Sequence, residues 1–222
     1  MILQASNIHK SYVTGKDTSL NVINGVSLSI AEGEIIAIVG PSGAGKSTLV
    51  HILGLLDRPT NGSVLFDGKE VTALRDDEIS RIRNSRIGFV FQFHHLLPEF
   101  SALENTVMPA LIAGRSLKSE TARAQQLLDE VGLANRMHHK PSELSGGEQQ
   151  RVAVARALMN SPKVVFADEP SGNLDTENAE KLHSLLFDLR KKYQQSFVIV
   201  THNTQLAASA DRIITLVDGK IV

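Results

Sequence analysis

Gly40-Pro41-Ser42-Gly43-Ala44-Gly45-Lys46-Ser47-Thr48 places four residues between a glycine and Gly-Lys-Ser, the spacing of a loop that cradles phosphate. Glycines let backbone N–H groups converge on phosphate oxygens, and a helix starting at the loop adds its dipole. Lys46 is then placed to reach the terminal phosphates and Ser47 to offer its hydroxyl to Mg²⁺. A plain glycine turn explains Lys46 poorly, because a cation in the first helical turn opposes the macrodipole unless an anion sits there. A second group of reactive side chains is Asp168-Glu169, which closes the apolar run Val164 to Ala167 and is halted by Pro170. Strand neighbours point to opposite faces, so the two acids should have separate roles: Asp168 holding Mg²⁺ through water, Glu169 polarising an attacking water. Ser145-Gly146-Gly147-Glu148 puts two glycines into a helical first turn, each costing about 1 kcal/mol relative to alanine. Alone, that segment suits close helix packing as well as anion binding; beside a phosphate loop it becomes a second candidate anion site. Gln92 and His202 each stand at the end of an apolar run. His94-His95 and His138-His139 are adjacent pairs without nearby cysteine or paired carboxylates, and no metal site is expected there.

These groups need scaffolding, and the hydrophobic pattern supplies it. Ile35 to Val39, Ile87 to Phe91, Val164 to Ala167 and Ser196 to Thr201 read as strands buried on both faces, the signature of a parallel sheet. If those strands are parallel, Gly40, Gln92, Asp168, Glu169 and His202 all fall at carboxyl ends, where ligands bind in open α/β sheets. Before the phosphate loop, short apolar segments are broken by turn signals. Asn24-Gly25 between two of them predicts a hairpin, so an antiparallel layer is expected, continued by Asn61 to Gly68. Tyr12, from the residues alone, is a half-buried strand tyrosine in that layer. From Phe93 to about residue 160 the texture turns helical. Ser101 with Glu104, and Ser145 with Glu148, are capping boxes; Pro109 should bend or shorten the first helix, and a second is expected over Thr121 to Val131. Asp76 to Ser85 and Glu177 to Lys192 are further amphipathic helices, and Asp218-Gly219 closes a final hairpin. The fold expected is α/β, a single domain over residues 1–222, with a mostly parallel sheet, an N-terminal antiparallel layer and a helical subdomain inserted at about 93–160.

With 222 residues, 42% of them hydrophobic, the chain can bury a sizeable core, and its formal net charge of -1 leaves no electrostatic footprint for nucleic acid. The absence of cysteine excludes disulfides and fits a reducing compartment. There is no leader pattern and no apolar run of membrane-spanning length, so a soluble protein is expected, with any membrane role exerted through a partner. The sequence stops within a strand pattern, which suggests a few further natural residues.

The ordered set Gly40 to Thr48, Gln92, Leu144-Ser145-Gly146-Gly147-Glu148, Asp168-Glu169, Ser171 to Asp175 and His202 resembles the nucleotide-binding subunit of ATP-binding cassette transporters over essentially the whole chain. The segments Gln92 to Asn105 and Phe166 to Asp175 are most similar to the lipoprotein-releasing (Lol-type) ATPases, with macrolide-exporter and cell-division ATPases sharing much of the texture. Ser171 stands where many relatives have threonine. The resemblance implies ATP and Mg²⁺ as ligands, with Tyr12 stacking on adenine, Ser47, Gln92 and Asp168 at the metal, and Glu169 and His202 at the γ-phosphate. It implies a homodimer formed on ATP binding, in which Ser145, Gly146 and Gly147 of one chain close on the nucleotide held by the other. It also implies integral membrane permease partners, and so a cytoplasmic position, peripheral on the inner membrane. A P-loop kinase of small molecules would lack the Leu144 to Glu148 segment, and a regulatory cassette would not need Glu169 and His202.

Overall fold

The computed structural model describes residues 1–13, 15 and 18–222. In chain order the elements are β1 (Leu3–Val13), β2 (Ser19–Ile30), β3 (Ile35–Val39), α1 (Lys46–Leu53), β4 (Asn61–Phe66), β5 (Lys69–Glu70), α2 (Asp76–Arg86) and β6 (Ile87–Phe91). There follow α3 (Ala102–Ile112), α4 (Leu117–Glu130), α5 (Gly146–Leu158), β7 (Val164–Asp168), α6 (Thr176–Tyr193), β8 (Ser196–Val200), α7 (Thr204–Ala208), β9 (Arg212–Val217) and β10 (Lys220–Ile221). The chain divides into two compact units, Met1–Ser80 with Ser196–Val222, and Arg81–Gln195.

The first unit contains an antiparallel sheet in the order β2-β1-β4-β5. One face of it is apolar: Leu3, Ala5 and Ile8 of β1 meet the core with Ile23, Val26 and Ile30 of β2, the two-residue alternation being reset by one position between Ala5 and Ile8 and again at Gly25, where the pairing shifts register. The hairpin expected at Asn24-Gly25 does not form. β2 runs unbroken through both residues, Gly25 takes φ +78°, and the pairing with β1 steps from Ile8↔Val26 to His9↔Asn24, leaving Gly25 as a bulge. Positive φ at an Asn-Gly pair serves a bulge as readily as a turn, and the long β1 opposite keeps β2 extended on both sides of it. The hairpin expected at Asp218-Gly219 does join β9 to β10, and Asp67-Gly68 joins β4 to β5 in the same way; all four residues have positive φ.

The same unit carries β3 flanked by β8 and β9, both parallel to it, with β10 antiparallel to β9. Ile35, Ile36, Ala37 and Ile38 are all buried, as a strand covered on both faces requires. α1 buries Leu49, Val50, Ile52 and Leu53. Fully burying one such side chain contributes about 1.5 to 3 kcal/mol, so the helix after the phosphate loop is held by its apolar face.

In the second unit β6 and β7 pair in parallel from Ile87↔Val164 to Phe91↔Asp168, with Phe89 stacked between Phe91 and Phe166. α3 and α4 pack against each other and on α5. α3 runs through Pro109 to Ile112 rather than stopping there, and the Pro109 carbonyl accepts from the Ala113 N–H and the Asn160 side-chain amide. α4 begins four residues before the expected Thr121 because the Ser116 hydroxyl caps it, accepting from the Ser119 N–H.

Candidate functional site

Within the first unit, Gly40 follows β3 and His202 lies just past β8, so both stand at the carboxyl edge of parallel strands. Gly40, Gly43 and Gly45 have φ of +149°, +79° and +96°. A Cβ on Gly40 would meet the Leu216 carbonyl oxygen at 2.0 Å, so both conformation and space demand glycine there. Pro41, Ser42 and Gly43 are exposed, whereas Ala44 is buried and anchors the loop by accepting from the Gly219 N–H. α3, α4, α5, α6 and α7 each begin with a side-chain cap, from Ser101, Ser116, Ser145, Asp175 and Asn203. α1 does not: its N-cap is Gly45, without a side-chain cap and without an acid in its first turn. Its leading amides are thereby left for an anion, and glycine leaves room for one to approach. Lys46 curls over the loop, donating from Nζ to the carbonyls of Gly40 at 2.8 Å and Pro41 at 2.9 Å. Ser47 is exposed and Thr48 half-buried. Tyr12 lies on β1, 40% exposed, with its hydroxyl donating to Asp57. His202 is exposed between the buried Thr201, whose hydroxyl accepts from the Asn203 N–H, and the Asn203 cap of α7.

The second unit holds Gln92, Ser145, Gly146, Gly147, Asp168 and Glu169. Gln92 and Asp168 sit at the same edge of the β6–β7 pair. Glu169 departs from the alternation argument: the strand ends at Asp168, and Glu169 adopts φ +47°, sparsely populated for a residue with a side chain. Its carbonyl accepts from the Gly172 N–H at 3.0 Å, closing a turn around the buried Pro170. Backbone conformation, not strand pleat, therefore separates the two carboxylates. Gln92 is tied to the loop that follows: its Nε2 donates to Asn173 Oδ1 at 3.1 Å, and Asn173 Nδ2 returns a bond to the Gln92 carbonyl at 3.2 Å. The Gln92 Oε1 takes no part in that exchange. Ser145 caps α5, accepting from the Glu148 N–H, while Glu148 accepts from the Ser145 N–H. The bond from the Ser145 N–H holds the Glu148 carboxyl below its ordinary pKa against the upward push of burial, with the Ser145 hydroxyl and Arg136 adding to the lowering. The two glycines differ: a Cβ on Gly147 would press on Asn178 at 3.1 Å, whereas one on Gly146 would make only an ordinary 3.9 Å contact with Leu174. Close packing thus accounts for Gly147, and Gly146 is open to an approaching group.

A family profile described as ABC transporter matches residues 23–172, which is most of the chain. The chain belongs to the ABC transporter family. As an ATP-binding cassette it is an ATPase subunit. The lipoprotein-releasing system ATP-binding protein LolD of Cytophaga hutchinsonii is 56% identical to it over 221 residues, covering 100% of this chain and 99% of that one. LolD of Bacteroides fragilis is 55% identical over 215 residues, covering 97% and 100%. Among solved structures, the dimeric ATP-binding cassette MJ0796 in a post-hydrolysis state bound to ADP and Pi superposes with a TM-score of 0.91 at 41% identity, covering 99% of this chain and 96% of that one.

Three residues of the cassette that shape the site carry no sequence signal of their own. Asn105, fully buried on α3, accepts from the Leu97 N–H and donates to the carbonyls of Leu97, Phe100 and Ser101, moulding the segment after Gln92. Gln150 on α5 donates to the Phe91 carbonyl at 3.1 Å. Arg156, also on α5, donates to the carbonyls of His94 and His95, both at 2.7 Å. The helix that starts at Ser145 thereby grips the chain on both sides of Gln92. Buried polar side chains in apolar helix patterns were the one available hint, since such groups must find partners. No helix among the described residues is long and apolar enough to cross a membrane.

Proposed function

We propose that this chain is the ATP-hydrolysing subunit that powers lipoprotein release from the inner membrane by ATP-driven closure of a cassette dimer. What supports lipoproteins as cargo is the full-length likeness, at 56% and 55% identity, to proteins named for a lipoprotein-releasing system. The observation that carries the nucleotide chemistry is the glycine-capped start of α1, whose first-turn amides have no side-chain partner to compete with a phosphate.

In this reading the ring of Tyr12 stacks on adenine, the backbone N–H groups between Ser42 and Ser47 bind the phosphates, and Lys46 exchanges its two loop carbonyls for phosphate oxygens. Mg²⁺, held by Ser47 with Asp168 and Gln92 near it, would neutralise charge on the phosphates. Mg²⁺ commonly takes one or two protein ligands and completes its shell with phosphate and water; among the described residues no three histidines or acids form a closed cage. Glu169 accepts a proton from the attacking water, and His202 contacts the γ-phosphate. Ser145, Gly146 and Gly147 of a second copy supply the far wall of the nucleotide site, in keeping with the dimeric MJ0796 cassette. The membrane subunits dock on the segment after Gln92, where Phe93 is 66% exposed and Leu97 and Phe100 also lie open, and they hold the cassette on the cytoplasmic face.

The test is a depletion strain complemented with Phe93→Glu or Leu97→Glu. Either variant should bind ATP normally but fail to co-purify with the membrane subunits, and lipoproteins should accumulate in the inner membrane. If folded variants still assemble and release lipoprotein, docking lies elsewhere. If depletion of the wild-type chain leaves lipoproteins correctly sorted, the cargo assignment fails.

A further inference from the structure

Tyr12 is built into a small polar lattice within the first unit. Its hydroxyl donates to Asp57 Oδ2 at 2.9 Å. The other carboxylate oxygen of Asp57 accepts from Lys10 Nζ at 2.7 Å, and the same ammonium donates to the Arg58 carbonyl at 2.7 Å. Lys10 Nζ lies 4.8 Å from the Tyr12 ring centroid, with its side chain only 11% exposed, so one face of the ring is covered by a cation. The ring as a whole is still 40% exposed, which leaves area for a flat partner. Asp57 is itself fixed to the helix of the phosphate loop: the N–H groups of Leu56 and Asp57 both donate to the His51 carbonyl of α1, at 2.8 and 3.1 Å. Burial would raise the Asp57 carboxyl, yet its bonds from Lys10 and Tyr12 hold it below its usual range, so it is charged at neutral pH.

We propose that Asp57 and Lys10 are positioning residues for the nucleotide base: Asp57 pins the Tyr12 hydroxyl to α1, and Lys10 backs one ring face, so that the other face is presented at a set distance from the phosphate loop. The proposal rests on the reading of Tyr12 as the adenine platform. It assigns the pair a role in binding the base, distinct from the phosphate contacts, because neither side chain bonds to the Gly40 to Ser47 loop.

The experiment compares Asp57→Ala, Lys10→Met, Tyr12→Phe and Tyr12→Ala in the full chain, measuring KM and kcat for ATP and the dissociation constant of inorganic tripolyphosphate. Base stacking is worth about 1 to 3 kcal/mol and each 1.4 kcal/mol is tenfold, so losing the anchor while keeping the ring should raise KM for ATP by roughly three- to tenfold. Asp57→Ala, Lys10→Met and Tyr12→Phe should all show this rise, with kcat falling far less and tripolyphosphate affinity unchanged. The double variant Tyr12→Phe/Asp57→Ala should be no worse than Tyr12→Phe, since both cut the same bond. If Tyr12→Ala weakens ATP binding but Tyr12→Phe and Asp57→Ala do not, the ring needs no anchor and the proposal is overturned while the platform stands. If Tyr12→Ala has no effect, the platform reading itself is wrong and takes the proposal with it. Equal loss of ATP and tripolyphosphate affinity in Asp57→Ala would reduce Asp57 to a scaffold residue and also overturn it. Should Asp57→Ala fail to fold, Tyr12→Phe decides alone.

Discussion

Glu169 is held at φ +47° by a turn that its own carbonyl closes onto Gly172. Holding a side-chain-bearing residue in that region costs of order 1 kcal/mol or more, a cost sustained where geometry matters to function. With Glu169 as the base, Glu169→Gln keeps the shape and removes the proton acceptor. Positioned acid–base catalysis contributes roughly 10² to 10⁴ in rate, so steady-state hydrolysis should fall by at least the lower figure while ATP affinity is kept. Turnover within a few-fold of wild type would move the base elsewhere. Lys46 belongs at this scale as well. Its position was legible because Gly-Lys-Ser is read by spacing alone, but its bonds to the Gly40 and Pro41 carbonyls were not, because a flexible ammonium takes whichever acceptors the loop turns toward it.

Among the elements, α5 shows how a local signal and a long-range one differ in legibility. The Ser145–Glu148 capping box was visible in four residues because both partners lie in one turn. A depressed carboxylate contributes stability that is complete above its unfolded pKa and is lost as pH falls through the folded value. The start of α5 should therefore hold at neutral pH and fray once pH drops below the ordinary carboxylate range, with Glu104 at the start of α3 behaving alike. Amide exchange of Ser145 from about pH 6 down to about pH 3 should show that loss of protection, and Glu148→Gln should flatten it. Unchanged protection in the wild type across that range would contradict the assignment. The grip of Gln150 and Arg156 on the Gln92 segment had no such signature. Their partners are backbone carbonyls 59 to 62 positions away, which no periodicity encodes. The β2 bulge was misread for the reason that Asn-Gly specifies a backbone angle and not what the flanking chain does with it.

For the whole molecule, the parallel strands and the order of the motifs were legible from apolar runs ended by polar residues, since buried strands need both faces covered. The assembly is a different matter, because Ser145, Gly146 and Gly147 are small or polar and carry no apolar pattern for a periodicity to reveal. If Ser145 to Gly147 of a second copy close on the γ-phosphate as proposed, Glu169→Gln with ATP should run in light scattering at twice the mass it shows with ADP. Equal mass in both nucleotides, well above the ATP dissociation constant, would rule out nucleotide-gated pairing. At the outer margin of the antiparallel sheet, β2 has neighbours on one side only in the order β2-β1-β4-β5, and such a margin invites strands from other molecules. Here the Gly25 bulge kinks the strand, and Asn24 is already engaged by the Asp218 and Gly219 carbonyls of the last turn. The open border of this sheet is thus blunted against the fibre-like stacking of strand on strand that an uncovered edge invites.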